Sequence, residues 1–145
     1  MKINKIVSWL IILLMTVIVL FRIVTDRADA IWHWNYVGHV TDYGSRYLLL
    51  LLPVVAVGLY FLVEYYLKHP KKVNMTGVVV SDKNVAYVVK YLLMLRLTIL
   101  VMVGYLAVCA CGYLPFYALI VLLSIIAILV FFLKAKKQCK YIEKN

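Results

Sequence analysis

The polar side chains that could do chemistry in this 145-residue sequence are concentrated in one segment, residues 25–46. Within it, His33, His39 and Asp42 are residue types that bind metal ions, and a turn between them would bring them together. Their spacing matches no established zinc pattern. His33 also stands between two tryptophans, where a hydrogen-bonding role at a membrane interface is the simpler interpretation. We therefore predict no metal ligands and no cofactor.

The motifs of common catalytic sites are absent from the sequence. It contains no glycine-rich phosphate loop, no nucleophile elbow and no His-Glu-x-x-His pattern. The three cysteines, Cys109, Cys111 and Cys139, are not spaced as a disulfide framework or as a metal site. We predict no catalytic residues, and hence a protein that is not an enzyme.

Two charged residues, Glu64 and Arg96, interrupt long apolar stretches. Charged side chains at membrane depth are costly and commonly pair with one another. Counted back from Cys111, Arg96 lies about 22 Å from the far end of its helix, on the same side as Glu64. We predict that the two form a pair or share a polar site near the inner face. Separate extension of each side chain to the interface is the alternative.

The elements that must position these residues follow from the composition. Hydrophobic residues make up 66% of the chain and charged residues 15%, and the mean hydropathy is +0.97. Soluble domains carry about 45–50% apolar and about 25% charged residues, and a chain this short cannot bury so much apolar surface. The net charge of +10 therefore indicates a basic membrane protein rather than a nucleic-acid-binding one.

Four segments are long enough to cross a hydrocarbon core about 30 Å thick. An uncharged stretch from Leu97 to Leu133 would form a helix of roughly 55 Å, so we split it at Gly112 and Pro115, a helix stop followed by a helix start. Ser81 and the acidic residue after it are expected to begin the third helix. We predict one all-α integral membrane domain with transmembrane helices at 6–24, 47–67, 82–111 and 115–133, an outer loop at 25–46, a cytosolic loop at 68–81 and a cytosolic tail at 134–145.

The distribution of Lys and Arg predicts the orientation of these helices. Thirteen of the sixteen lie in the N-terminus, in the middle connection with the third helix, or in the C-terminal tail. The other three are in the first loop or just before it, where three aspartates balance them. Both termini are therefore expected on the cytosolic side of the membrane. A signal peptide cleaved near Ala30 is the alternative, which the length of the first apolar stretch disfavours.

The outer loop itself is predicted to fold. Aromatic and β-branched residues flank a candidate turn from Asn35 to Gly38, which indicates a short β-hairpin of residues 31–35 against 39–43. Gly38 and Gly44 can take positive φ, and the Ser45 hydroxyl can cap the second helix. We expect this hairpin to form a lid over the outer end of the helix bundle.

The loop and the second helix resemble domain-of-unknown-function family 1648, which includes the N-terminal part of SdpI-type bacterial immunity proteins. The matching positions are His33, Trp34, Asn35, Gly38, Tyr43, Gly44, Ser45, Arg46 and Pro53, with Asp42 directly before the second group. The resemblance covers roughly residues 6–91. It implies that this outer-loop motif is a site for a ligand or partner.

Three functions are compatible with these features. One is immunity or envelope signalling, in which the outer loop binds an extracytoplasmic toxin or envelope ligand. A second is a small carrier or channel for a small or lipidic substrate, which the scarcity of polar residues in the apolar segments disfavours. The third is a structural subunit or homo-oligomer, packing through small residues such as Gly58, Gly104 and Ala107. Besides the lipid bilayer, the expected partners are such a ligand or a second copy, and no nucleic acid.

Overall fold

In a computed structural model that describes residues 2–144, the long apolar stretches form four helices. They are α1 (Lys2–Thr25), α2 (Leu51–Lys68), α3 (Val85–Ala110) and α4 (Ala118–Lys144), with a 3-10 turn (Arg46–Leu50) leading into α2 and another (Pro70–Lys72) after it. Each helix, α2 together with its leading turn, is long and apolar enough to cross a membrane. The predicted four-helix architecture is confirmed at this level.

A two-stranded antiparallel sheet lies between α1 and α2. Strand β1 (Ala30–Trp34) pairs with β2 (Val40–Gly44), and the register places Ala30 opposite Gly44 and Trp34 opposite Val40. The turn between them is built on Asn35, whose Oδ1 accepts the backbone N–H of Val37 at 3.0 Å and of His39 at 2.9 Å. This hairpin is the one predicted, with each strand displaced by one residue.

Helix α3 is the centre of the bundle, because it packs against α1, α2 and α4. Helix α4 packs mainly on α3. We call the end of the bundle that carries the sheet and the α3–α4 turn the hairpin end, and the opposite end the lysine end. One apolar core lies toward the hairpin end between α1, α2 and α3, and a second lies toward the lysine end, where α4 contributes Ala135 and Cys139.

The third helix begins at Val85, three residues later than predicted, because residues 81–84 form a separate turn. The buried side chain of Asn84 holds this turn: its Oδ1 accepts the Ser81 N–H at 2.9 Å, and its Nδ2 donates to the Val79 carbonyl at 2.9 Å. The Ser81 main-chain carbonyl accepts the Val85 N–H at 3.0 Å. The expectation that Ser81 begins the helix was therefore wrong, and Asn84 occupies the cap position.

The fourth helix does not end at Leu133 but continues to Lys144. The basic stretch after Leu133, predicted as a tail, stays helical because it has an apolar face to bury. Ala135 and Cys139 lie against α3 and the preceding connection, with the Cys139 thiol donating to the Asn84 carbonyl at 3.8 Å. The last residue of the predicted tail, Asn145, lies outside the described residues.

Candidate functional site

The hairpin is fixed to the α3–α4 turn by its inner side. The indole of Trp34 stacks on the ring of Phe116, with 4.9 Å between ring centroids and 19° between planes. Gly38 has φ +98°, and a Cβ on it would overlap the carbonyl oxygen of Phe116. The main chain of the hairpin thus touches the main chain of the α3–α4 turn at Gly38. Only glycine tolerates both the positive φ and this close approach.

The later positions of the outer-loop motif, residues 43–46, join the hairpin to α2, but not in the predicted way. Gly44 does not take positive φ, and it is glycine because the indole of Trp32 covers it. Ser45 makes no side-chain cap, and instead its carbonyl accepts the Leu48 N–H at 2.9 Å. The guanidinium of Arg46 donates to the Asp26 carbonyl at 3.3 Å, a contact between the start of this turn and the end of α1.

The structure places two of the loop's three metal-binding residue types, His33 and Asp42, opposite each other, but it does not group all three. Nδ1 of His33 lies 2.5 Å from the Thr41 hydroxyl, and Oδ1 of Asp42 accepts the N–H of Tyr43 at 2.8 Å. His33 and Asp42 are partners across the strands, while His39 lies in the turn. Among the His, Cys, Asp and Glu side chains that the structure describes, a set that leaves out residue 143, no three are grouped in a way that could hold a metal ion.

The tip of the hairpin faces solvent, which the sequence reasoning did not single out. Tyr36 is 91% exposed, and Val37 is also well exposed. The His39 side chain is exposed beside them. An exposed aromatic residue in a fixed turn is a common feature of binding surfaces. The sequence signal that could have identified these residues is an aromatic residue followed by a valine inside the turn, between Asn35 and Gly38.

At the lysine end, a second polar site is enclosed between three helices. The structure brings Glu64 of α2 and Arg96 of α3 together, with 2.8 Å between Oε2 and Nη1. Arg96 is only 1% exposed, and its guanidinium carbon lies 5.0 Å from the centre of the Tyr60 ring. Lys5 of α1 reaches the other carboxylate oxygen of Glu64, with Nζ at 2.5 Å from Oε1.

Asn4 completes this site and was missed by the sequence analysis. Its Oδ1 accepts hydrogen bonds from Nε of Arg96, at 2.8 Å, and from Nη2, while its Nδ2 donates to the Leu93 carbonyl at 3.0 Å. The predicted first helix began at residue 6, so Asn4 lay outside the predicted helices. The helix in fact begins by Lys2, which aims this amide at Arg96. We call Asn4, Lys5, Glu64 and Arg96 the polar cluster.

A second buried arginine, Arg22, lies at the hairpin end of α1. Its Nε donates to the Cys111 carbonyl at 2.9 Å, and its Nη1 lies 2.7 Å from Oδ2 of Asp26, at ion-pair distance but without hydrogen-bond geometry. Burial raises the pKa of the Cys111 thiol, and the nearby Arg22 charge partly opposes that rise. In the sequence, Arg22 had been assigned only to the charge balance of the loop.

The remaining site residue, Pro53, is buried in the first turn of α2. A proline in the first turn of a helix removes no helical hydrogen bond, so Pro53 does not kink α2.

The polar cluster and the hairpin are separate sites at opposite ends of the bundle. No protein-family model, no curated protein and no solved structure matches this chain.

Proposed function

We propose that this chain is a multi-pass protein of the bacterial cytoplasmic membrane whose hairpin binds an extracytoplasmic ligand. In this proposal both termini and the lysine end lie in the cytosol, and the hairpin end lies outside. The distribution of Lys and Arg supports this orientation. Four apolar helices support the multi-pass arrangement.

The observation that carries the proposal is the contrast between the two sides of the hairpin. Its inner side is fixed by the Trp34–Phe116 stack and the glycine contact at Gly38, while Tyr36 and His39 remain exposed at the tip. A binding segment held in one conformation loses little conformational entropy when a ligand binds. The hairpin is therefore suited to recognition rather than to connecting two helices.

The class of ligand is inferred from the resemblance to the SdpI-type immunity proteins. We propose that it is a membrane-active toxin or an envelope component, and that binding protects the cell or begins an envelope signal. The aromatic tip favours a ligand with an apolar surface. The cross-strand contact of His33, the turn hydrogen bond of Asn35 and the bond from the Tyr43 N–H to Asp42 support the shape of this surface.

The experiment compares two sets of substitutions at the same end of the molecule. Cells lacking the gene are complemented with the parent chain, with Tyr36→Ala/His39→Ala, or with Tyr113→Ala in the α3–α4 turn, and are challenged with a panel of membrane-active peptides. Tyr113 is the matched control because it is also an exposed tyrosine at the hairpin end. We expect the double variant to lose protection at equal membrane abundance and the control to keep it. Full protection by the double variant would contradict the proposal.

The orientation has its own test. In a chain with Cys109, Cys111 and Cys139 replaced by serine, a membrane-impermeant maleimide should label Tyr36→Cys in intact cells. Lys83→Cys, an exposed position at the lysine end, should be labelled only after permeabilisation. The reverse pattern would show that the hairpin lies in the cytosol.

A second candidate function, a subunit that assembles through α4, is favoured by the packing of that helix. Only 6% of the 18-residue apolar stretch of α4 is buried, whereas 28% to 33% of the corresponding stretch is buried in each of the other three helices. Two of the small residues predicted for contacts between chains are used internally: Gly104 faces Ile11, and Ala107 is fully buried. Gly58 has open space around it. Cysteine crosslinking at Ile126, on the exposed face of α4, distinguishes a dimer from a monomer in native membranes.

A further inference from the structure

A groove runs between α3 and α4 at the lysine end. It consists of two adjoining cavities of about 300 and 630 Å³, which share Tyr87, Lys134 and Gln138 in their walls. Neither the polar cluster nor the hairpin contributes to it. Its walls come from the first three turns of α3 and from a part of α4 that spans the end of the predicted fourth helix and the predicted tail.

Three lysines line the groove without a counterion among the described residues. Lys90 enters from α3, and Lys134 and Lys137 enter from α4. None of them forms an ion pair or hydrogen bond with a described residue, and no described carboxylate lines the walls. Two other lysines at this end do have counterions: Lys5 pairs with Glu64 and Lys71 with Asp82. Three uncompensated ammonium groups around one groove favour an anionic ligand.

The groove also changes character along its length. One helical turn from Lys90 toward the hairpin end stands Met94, and about one turn from Lys134 in the same direction stands Phe131. The ring of Tyr91, which lines the groove, packs edge-on against Phe132 beside this apolar part. The cationic region lies at the lysine end of the groove and the apolar region lies next to it, toward the hairpin end. This arrangement matches a ligand with a phosphate at one end and a hydrocarbon chain at the other.

We infer that this groove binds an anionic phospholipid of the cytosolic leaflet, with its phosphate at Lys90 and Lys134 and an acyl chain along Met94 and Phe131. Basic pockets between transmembrane helices on the cytosolic side are known to accept acidic head groups. A free phosphate would gain nothing from the apolar part, so the lipid is the better match. The inference rests on the proposed membrane orientation, in which the lysine end meets the inner leaflet.

The test measures retention of lipid by the full chain in detergent, by native mass spectrometry. The probe is dioleoyl phosphatidylglycerol, and dioleoyl phosphatidylcholine is the neutral comparison. The groove variant is Lys90→Gln/Lys134→Gln. The matched control, Lys68→Gln/Lys83→Gln, removes the same charge from exposed positions at the same end, outside the groove walls. Melting temperatures in lipid-free detergent verify that both variants fold.

We expect the parent to retain phosphatidylglycerol in preference to phosphatidylcholine, and the groove variant to bind it about tenfold more weakly. The control should stay within about twofold of the parent. Equal weakening in both variants would show unspecific surface attraction and would overturn the inference. Displacement of the lipid by millimolar inorganic phosphate would also overturn it, because the site would then recognise the anion alone.

The labelling experiment at Lys83 separates this inference from the proposed function. If Lys83→Cys is protected in intact cells but the groove variant retains lipid like the parent, the lipid inference fails and the proposed orientation stands. If Lys83→Cys is labelled from outside, the proposed orientation fails, and with it the inner leaflet as the source of the lipid.

Discussion

The two buried arginines, Arg96 at the lysine end and Arg22 at the hairpin end, are held by different kinds of partner. Arg96 binds side chains on two other helices, Glu64 and Asn4. Arg22 binds a main-chain carbonyl and an aspartate one turn along its own helix. The first arrangement depends on the identity of the partner residues, and the second depends on where the backbone of the α3–α4 turn lies.

This difference predicts how each end responds to substitution. At the lysine end a partner can be deleted, which leaves a charge in apolar surroundings without compensation. At the hairpin end the carbonyl of Cys111 cannot be deleted by substitution, so this hydrogen bond can be tested only through the arginine itself or the fit of the turn. Substitutions at the two ends test this contrast.

Glu64→Gln should have the largest effect, because it leaves Arg96 and Lys5 without a counterion. Removal of one partner from a buried ion pair typically costs about 3–5 kcal/mol. We expect a loss of this order in the free energy of unfolding, measured by detergent-induced denaturation. Arg96→Gln should cost less, since Lys5 still neutralises Glu64.

The double variant then tests the pairing itself. In the cycle of Glu64→Gln and Arg96→Gln, a coupling energy of about 1–3 kcal/mol is expected for residues in one network. A Glu64→Gln change that leaves the effect of Arg96→Gln unaltered would show that the two side chains act independently, and the polar cluster would not be one unit.

Arg22→Gln should come next, at about 1.5–3 kcal/mol, the range for a hydrogen bond to a charged group. Arg27→Gln is the matched control, because Arg27 carries the same charge at the same end but is exposed, and it should change stability by less than about 0.5 kcal/mol. If the two variants unfold alike, the bond to the Cys111 carbonyl contributes little, and the hairpin end does not depend on it.

Gly38→Ala tests the backbone fit at the hairpin end. The positive φ and the overlap with the Phe116 carbonyl should cost about 1–2 kcal/mol. Gly58→Ala in α2 meets open space and should instead stabilise the chain by roughly 0.5–1 kcal/mol. The melting temperatures of the two variants should therefore move in opposite directions, and a shift in the same direction would refute the contact with the α3–α4 turn.

Lys5→Gln should have the smallest effect, about 0.5–1 kcal/mol, because its side chain is 40% exposed and solvent screens the pair with Glu64. Lys2→Gln, in the same turn of α1, is the control and should be neutral. A loss as large as that of Glu64→Gln would mean that Lys5, and not Arg96, is the main counterion of the carboxylate.

The parts of the molecule that follow from hydropathy and turn chemistry could be predicted from the sequence. The apolar stretches, the break at Gly112 and Pro115, and the Asn35–Gly38 turn each have a local cause, and the structure has the corresponding elements. The proximity of Glu64 and Arg96 could also be anticipated, since two charges at a similar depth in an apolar environment attract each other.

The features that could not be predicted depend on packing between distant segments. The Cys111 carbonyl leaves no trace in the sequence as a partner of Arg22, because every residue has a carbonyl. Asn4 was hidden by a boundary placed where the apolar stretch begins rather than where the helix begins. The helical continuation after Leu133 depends on the packing of Ala135 and Cys139 against other segments. The charge-rich sequence of the tail gives no indication of that packing.

The stack of Trp34 on Phe116 has a mechanical consequence. Phe116 lies just before Ala118, the first residue of α4, and this helix of 27 residues is a rod roughly 40 Å long that packs mainly on α3. A ligand that shifted the hairpin would therefore also move the start of α4. A tilt of about 3–4° at the start of α4 would displace its far end by roughly 2–3 Å, and would change the width of the groove between Lys90 and Lys134 by a smaller amount.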